Sequence, residues 1–124
     1  FAHPYEDDLS FLYGTIFIAS SEHAQVNSRN VCIFANGQLD RSPTGSGVSA
    51  RLAIHHARKE WTENHWMTIE SILGSQFKCQ IKESVTFSKH QAIIPIVQGQ
   101  AFYTGRHEFW LDAKDLLVTG FELR

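Results

Sequence analysis

Apolar and polar residues alternate along this chain in short blocks, and the period inside each block predicts the element it forms. Residues 11–19, "FLYGTIFIA", are rich in aromatic and β-branched side chains and predict a strand. The polar stretch "SSEHAQVNSRN" predicts a loop, and "VCIFA" a second short strand closed by "NG". That dipeptide takes positive φ at little cost, so a hairpin into "QLDRS" follows. From Val48 to Lys59 the rhythm changes. Val48, Leu52, Ile54 and Ala57, with Ala50 and Ala53 between them, fit a helix with one buried stripe. The helix is expected to begin within two or three residues of Thr44 and end near Lys59, with Ala50, Ala53, Ile54 and Ala57 enclosed by strands. Beyond it "ENHWMTIESILG", "QFKCQIKESVTF", "QAIIPIVQGQAFYTG" and "HEFWLD" read as successive strands. Pro95, inside one of them, marks an edge or a bulge. "DAKDLLVTGFEL" predicts a turn and a final strand. One helix among six or more strands argues an α+β domain whose sheet wraps that helix. No repeat or linker divides the chain, so residues 1–124 form one unit.

Composition narrows the function classes. At 124 residues, 43% hydrophobic and 19% charged, the chain can bury a core of its own, and no run of about 18 apolar residues is present to span a bilayer. A soluble domain is expected. The formal charge is −2 with Lys and Arg scattered, which offers no footprint for nucleic acid or an anionic membrane. Cys32 and Cys79 each sit in an apolar run without metal-ligand spacing, and read as buried thiols in a reducing, cytoplasmic compartment; a single disulfide between them stays open as the alternative. His55 and His56 lie beside the apolar stripe as packing or surface residues. His3, His23, His65, His90 and His107 form no ligand spacing, so no metal is expected. Trp61, Trp66 and Trp110 are expected at the core edge or on a face that meets another body, where exposed apolar surface would favour self-association and a homodimer. The chain starts at Phe1 without an initiator methionine or signal-peptide pattern, as a fragment or a processed piece would.

The chemistry concentrates at the corner before the helix, "LDRSPTGSGVSARLA". A helix N-terminus leaves N–H groups without intrahelical partners and carries partial positive charge, so "PTGSG" there can hold a carboxylate. Asp40, four residues before Thr44, can pair with a cationic amine. Together they suit an amino or imino acid. The competing reading makes Thr44 or Ser46 an ordinary N-cap and Asp40 a turn residue.

"DRSPTGSGVSARLA" closely resembles the second active-site motif of the proline racemase family, which commonly reads Asp-Arg-Ser-Pro-Cys-Gly-Thr-Gly followed by Ser or Thr, Ala and a basic residue. "HP" at His3 and Pro4, "LYGTIF", "NVCIFANGQLDRSP", "ESILGSQF", "IIPIVQGQAFYTG" and "LDAKDLLVTGF" resemble further segments of that family's second lobe, in the same order. The resemblance implies one lobe of a two-lobed, diaminopimelate-epimerase-like fold, with a mixed, mostly antiparallel sheet around a central helix. Substrate would lie between the two helix N-termini. In the racemases each lobe contributes a cysteine that moves a proton at one face of the substrate's α-carbon. Here the second-lobe cysteine position is Thr44, as in the subgroup resembling trans-3-hydroxy-L-proline dehydratases.

What the resemblance implies for the site follows residue by residue. Asp40 would hold the ring nitrogen, the Gly45 and Ser46 N–H groups the carboxylate, and Thr44 would face the leaving hydroxyl. A threonine hydroxyl is too weak an acid to cycle as a thiol does, so racemisation should fail while one-base dehydration to Δ1-pyrroline-2-carboxylate survives. No metal or organic cofactor is implied. The first-lobe cysteine, followed by Gly-His in the family, is absent from these residues, so the chain needs the lobe that carries it. The alternative is a non-catalytic imino-acid-binding domain on the same fold.

Overall fold

The computed structural model describes residues 2–121. Six strands and one α-helix follow one another: β1 (Gly14–Ala19), β2 (Ser28–Phe34), β3 (Gln38–Leu39), α1 (Gly45–Ala57), β4 (Met67–Ser71), β5 (Gln76–Phe87) and β6 (His90–Gln98). They make a single sheet in the order β1-β2-β4-β5-β6, with β3 pairing the end of β2. The sheet is mixed and mostly antiparallel. Its one parallel pair among the described residues is β2 with β4, where Ser28 faces Ile69. Parallel neighbours require a crossover, and α1 lies within it. The fold class is therefore the α+β arrangement expected from the pattern.

Each element follows from its residues. The β2–β3 hairpin turns through residues 35–37, where Gly37 has φ +83°, in the region open to glycine. Pro95 sits in β6, an edge strand, opposite a register shift between Ile81 and Glu83. Edge and bulge thus coincide, and the missing proline N–H leaves no gap in an interior ladder. α1 begins one residue after Thr44, and past Arg58 the chain turns at Lys59 with φ 60°. That left-handed residue ends the helix.

The core lies where α1 meets the sheet. Val48 and Leu52, one turn apart, are fully buried against Met67 and Ile69 of β4 and Cys79 and Ile81 of β5, with Trp61, Phe77 and Ile93 packed at the rim. Alternation along the strands puts each of those pairs on one face. Burying one such side chain stabilises by about 1.5–3 kcal/mol. On the opposite face Glu70 bridges neighbouring strands, accepting from Arg29 Nε at 2.8 Å and Ser21 Oγ at 2.9 Å. Burial pushes its carboxyl up, but those two hydrogen bonds and the Arg29 charge outweigh it and hold the pKa below the usual value.

Two expectations change. Ala50, Ile54 and Ala57 are exposed and Ala53 only half-buried, because the sheet covers one side of α1 and that side is the Val48–Leu52 line. Residues 99–112, including "HEFWLD", form no strand, and the turns that follow carry no strand either up to Phe121. A strand needs a neighbouring edge to pair with, and these residues find none among the described part of the chain. Phe102, Tyr103, Phe109, Trp110 and Leu116 stand in the open. The end of the predicted final strand, residues 122–124, lies outside the described residues. Trp61 reaches the core edge, the first of the two places expected for the tryptophans, and Trp110 is 85% exposed.

Gly14 fixes how closely β1 approaches β2. A Cβ there would stand 2.8 Å from both the Ile33 carbonyl oxygen and Phe34 Cβ. Gly14→Ala is expected to cost about 1–3 kcal/mol by overpacking, read from denaturant midpoints. Gly47→Ala should cost less, since the added methyl meets chiefly the mobile tip of Ile16.

Candidate active site

The loop from Asp40 to Thr44 is held by its own side chains. Asp40 Oδ1 accepts the Ser42 N–H at 2.8 Å, and Ser42 Oγ accepts the Thr44 N–H at 3.0 Å. Thr44 Oγ1 donates to Asp40 Oδ2 at 2.7 Å. This last bond removes the N-cap reading of Thr44, while the Ser42 N–H on Asp40 is the turn contact that the competing reading gives Asp40. The threonine side chain does not cap the helix; only its carbonyl takes part, accepting from the Val48 N–H at 2.8 Å. The hydroxyl belongs to Asp40.

The backbone supports a functional reading. Thr44 has φ 67° and ψ 98°, a region that β-branched residues avoid. Such strain costs on the order of 1–3 kcal/mol and persists only where the surroundings over-determine it. Here they do. Asn30 Nδ2 donates to the Pro43 carbonyl at 3.3 Å, and Asn30 Oδ1 accepts from Arg51 Nη1 at 2.6 Å. The same Arg51 nitrogen donates to Ser28 Oγ at 2.8 Å.

Electrostatics suit a cationic ligand group at Asp40. Burial pushes its carboxyl up, but the bonds from Ser42 and Thr44, together with the Arg41 charge, hold its pKa below the ordinary 3.8. It is an anion at any neutral pH. The first N–H groups of α1, at Gly45, Ser46 and Gly47, precede the residues that close helical turns and so are free to hold an anion. Gly45 and Thr44 are half-buried and Ser46 is exposed. Asp40 and Ser42 also border an open groove whose other walls include Phe77, Lys78, Gln98 and Phe102; Thr44, Gly45 and Ser46 do not line it. Of the four expected residues, Thr44 is bonded to Asp40 and leads directly into Gly45 and Ser46, and only Asp40 borders the groove.

The two cysteines of the chain are Cys32 and Cys79. Both are free and buried. Burial raises the Cys79 thiol to about 11, with the Arg51 charge lowering it only in part, and its Sγ donates to the Met67 carbonyl. The helix histidines are engaged elsewhere, His55 with Glu60 at 2.6 Å and His56 with Ser84 at 3.1 Å. Among the described residues no cluster of three His, Cys, Asp or Glu side chains is placed to hold a metal, and no helix is long and apolar enough to cross a membrane.

Ser28, Asn30 and Ser42 are the members of this site that pattern reading passes over. A signal was present for Asn30: in "SRNVCIF" it shares the inward face with Cys32, where a polar side chain needs partners.

The family described as proline racemase matches residues 1–122. A trans-3-hydroxy-L-proline dehydratase of Colwellia psychrerythraea is 52% identical over 122 residues, covering 98% of this chain and 34% of the relative. A protein of the same name from Bacillus cereus is 38% identical over 98% of this chain and 36% of its own length. Among solved structures, a hydroxyproline epimerase from Agrobacterium vitis with bound trans-4-hydroxy-L-proline superposes with a TM-score of 0.84 at 34% identity, over 99% of this chain and 35% of that one. The chain thus spans about a third of the length of the proteins it matches.

Proposed function

Since this chain belongs to the proline racemase family, we propose that it is the second lobe of a trans-3-hydroxy-L-proline dehydratase, acting in the cytoplasm. The observation that carries this is Thr44, at the family's cysteine position, with its hydroxyl committed to Asp40 at 2.7 Å. Substrate would lie with its ring ammonium on Asp40 and its carboxylate on the Gly45 and Ser46 N–H groups. The opposite wall, and a thiolate base, would come from the first lobe. Two lobes meeting there would also cover the exposed aromatics of residues 102–116 in place of self-association.

Ring stereochemistry then refines the role of Thr44. In trans-3-hydroxy-L-proline the α-hydrogen and the 3-hydroxyl share one face of the ring, because both are opposite the carboxylate. The first-lobe thiolate takes the α-proton from that face. The Cα–H electron pair becomes the Cα=Cβ bond, the C–O bond breaks, and the departing oxygen leaves as water by taking the proton back from the neighbouring thiol. The enamine product tautomerises to Δ1-pyrroline-2-carboxylate. On this reading Thr44 lies on the other face, where it orients Asp40 and offers no acid, instead of facing the leaving hydroxyl.

The test is to assay the full-length protein on trans-3-hydroxy-L-proline for the pyrroline product. The isolated 124-residue chain is expected to form none and to bind the imino acid weakly, since half of the contacts and the exclusion of water are missing. In amide-shift titrations residues 40–48 should move first. Binding by the full-length protein without product would favour the non-catalytic alternative. Product formed by the isolated chain would overturn the two-lobe reading.

A further inference from the structure

We infer that Asn30 is a positioning residue that sets the peptide plane between Pro43 and Thr44, and through it the substrate-holding groups at Asp40, Gly45 and Ser46; the inference rests on the dehydratase reading above. Asn30 lies in the middle of β2 and is 1% exposed. Its two side-chain atoms have one possible assignment. A carbonyl can only accept and a guanidinium can only donate, so Nδ2 must face the Pro43 oxygen and Oδ1 must face Arg51. Proline has no N–H of its own, which leaves its carbonyl as the handle by which the next peptide plane can be held. The other end of that plane is the Thr44 N–H, taken by Ser42 Oγ at 3.0 Å. The plane is clamped from the sheet side by Asn30 and from the loop side by Ser42.

The clamp has a purpose in this geometry. Thr44 stands at φ 67°, a conformation it would leave if the preceding peptide could rotate. Rotation would carry the hydroxyl away from Asp40 and turn the Gly45 and Ser46 N–H groups off the carboxylate. Arg51 extends the hold by tying the second turn of α1 to Asn30 and Ser28, so strand, loop and helix are joined through one set of hydrogen bonds. No apolar side chain at position 30 could keep both partners satisfied.

The experiment uses the full-length two-lobed protein with Asn30→Ala and Asn30→Asp. Asn30→Asp retains the acceptor for Arg51 and replaces the donor to Pro43 by a carboxylate oxygen whose charge the Arg51 guanidinium balances, so its thermal midpoint should stay within a few degrees of the parent. Both variants are expected to lose about 10- to 100-fold in kcat, the effect of holding the substrate's α-carbon roughly 1 Å away from its place against the first-lobe base, with KM rising by a smaller factor. A purely structural residue would instead lower the active fraction and leave kcat per folded molecule unchanged. Asn30→Asp with kcat within twofold of the parent would overturn the inference. Should the parent itself prove inactive on the imino acid, the function proposal fails, and this inference is read from the Thr44 methyl and Gly45 amide resonances. Displaced resonances in Asn30→Asp support it, and unmoved ones overturn it.

Discussion

Asp40→Ala in the full-length protein is expected to lower kcat/KM for trans-3-hydroxy-L-proline by about 10³-fold, within the 2–5 kcal/mol that truncating one partner of a hydrogen-bonded charge pair removes. Three groups lean on this carboxylate: the Ser42 N–H, the Thr44 hydroxyl and, on the proposed reading, the substrate's ring ammonium. The first two are lost together, which frees a loop already strained at Thr44. Asp40→Asn keeps the shape and one acceptor oxygen but not the charge, so its loss should be smaller, about 30-fold or more. Steady-state kinetics with a check of thermal midpoints separates these effects from misfolding. An Asp40→Ala protein within tenfold of the parent would remove Asp40 from the site.

The pH dependence follows from the same contacts. The folded pKa of Asp40 lies below its ordinary 3.8. A depressed carboxylate contributes stability that is present above the unfolded value and is lost as pH falls through the folded one. Asp40 therefore stays charged across the neutral and mildly acidic range. Any acid limb in kcat/KM above about pH 5 must come from another group, such as the first-lobe base.

How much of this could be read from sequence depended on how local each interaction is. The pattern bounds β5 at residues 76–87 because its flanking turns are signalled within a few positions, and the Asp40–Thr44 corner is held by bonds spanning two to four residues. The Asn30 bonds span 13 and 21 residues. Inward alternation marks Asn30 as a polar residue needing a partner, but no period in the chain says which carbonyl or guanidinium arrives. The exposed side of α1 is not legible in the pattern for a related reason. Alanine is indifferent to burial, so Ala50, Ala53 and Ala57 could extend the apolar stripe either way, and only the position of β4 and β5 decides that Val48 and Leu52 face inward. The "HEFWLD" segment has the composition of a strand, yet composition cannot supply the edge it would pair with.

Thr44→Cys should convert part of the full-length protein's activity to epimerisation. A thiol at this position sits beside the N-terminus of α1, where its pKa falls toward neutrality and it can give up and recover a proton within the catalytic cycle. It would face the ring side opposite the first-lobe base. L-Proline gives the clean measurement, since without a 3-hydroxyl it cannot be dehydrated. In deuterated solvent the parent is expected to exchange the α-hydrogen with retention, because one base removes and returns it on one face; Thr44→Cys should form the D-enantiomer as well. Thr44→Val then separates the two roles a threonine could have. If the hydroxyl only orients Asp40, its removal costs one hydrogen bond to a charged group, about 1.5–3 kcal/mol in kcat/KM, most of it carried by KM. If the hydroxyl were the acid that protonates the leaving group, kcat would fall by about 10²- to 10⁴-fold. The 2.7 Å bond from Thr44 Oγ1 to Asp40, together with the shared face of the α-hydrogen and the 3-hydroxyl, leads to the first outcome. A Thr44→Val protein with unchanged KM and a kcat reduced by a thousandfold would return the acid role to Thr44.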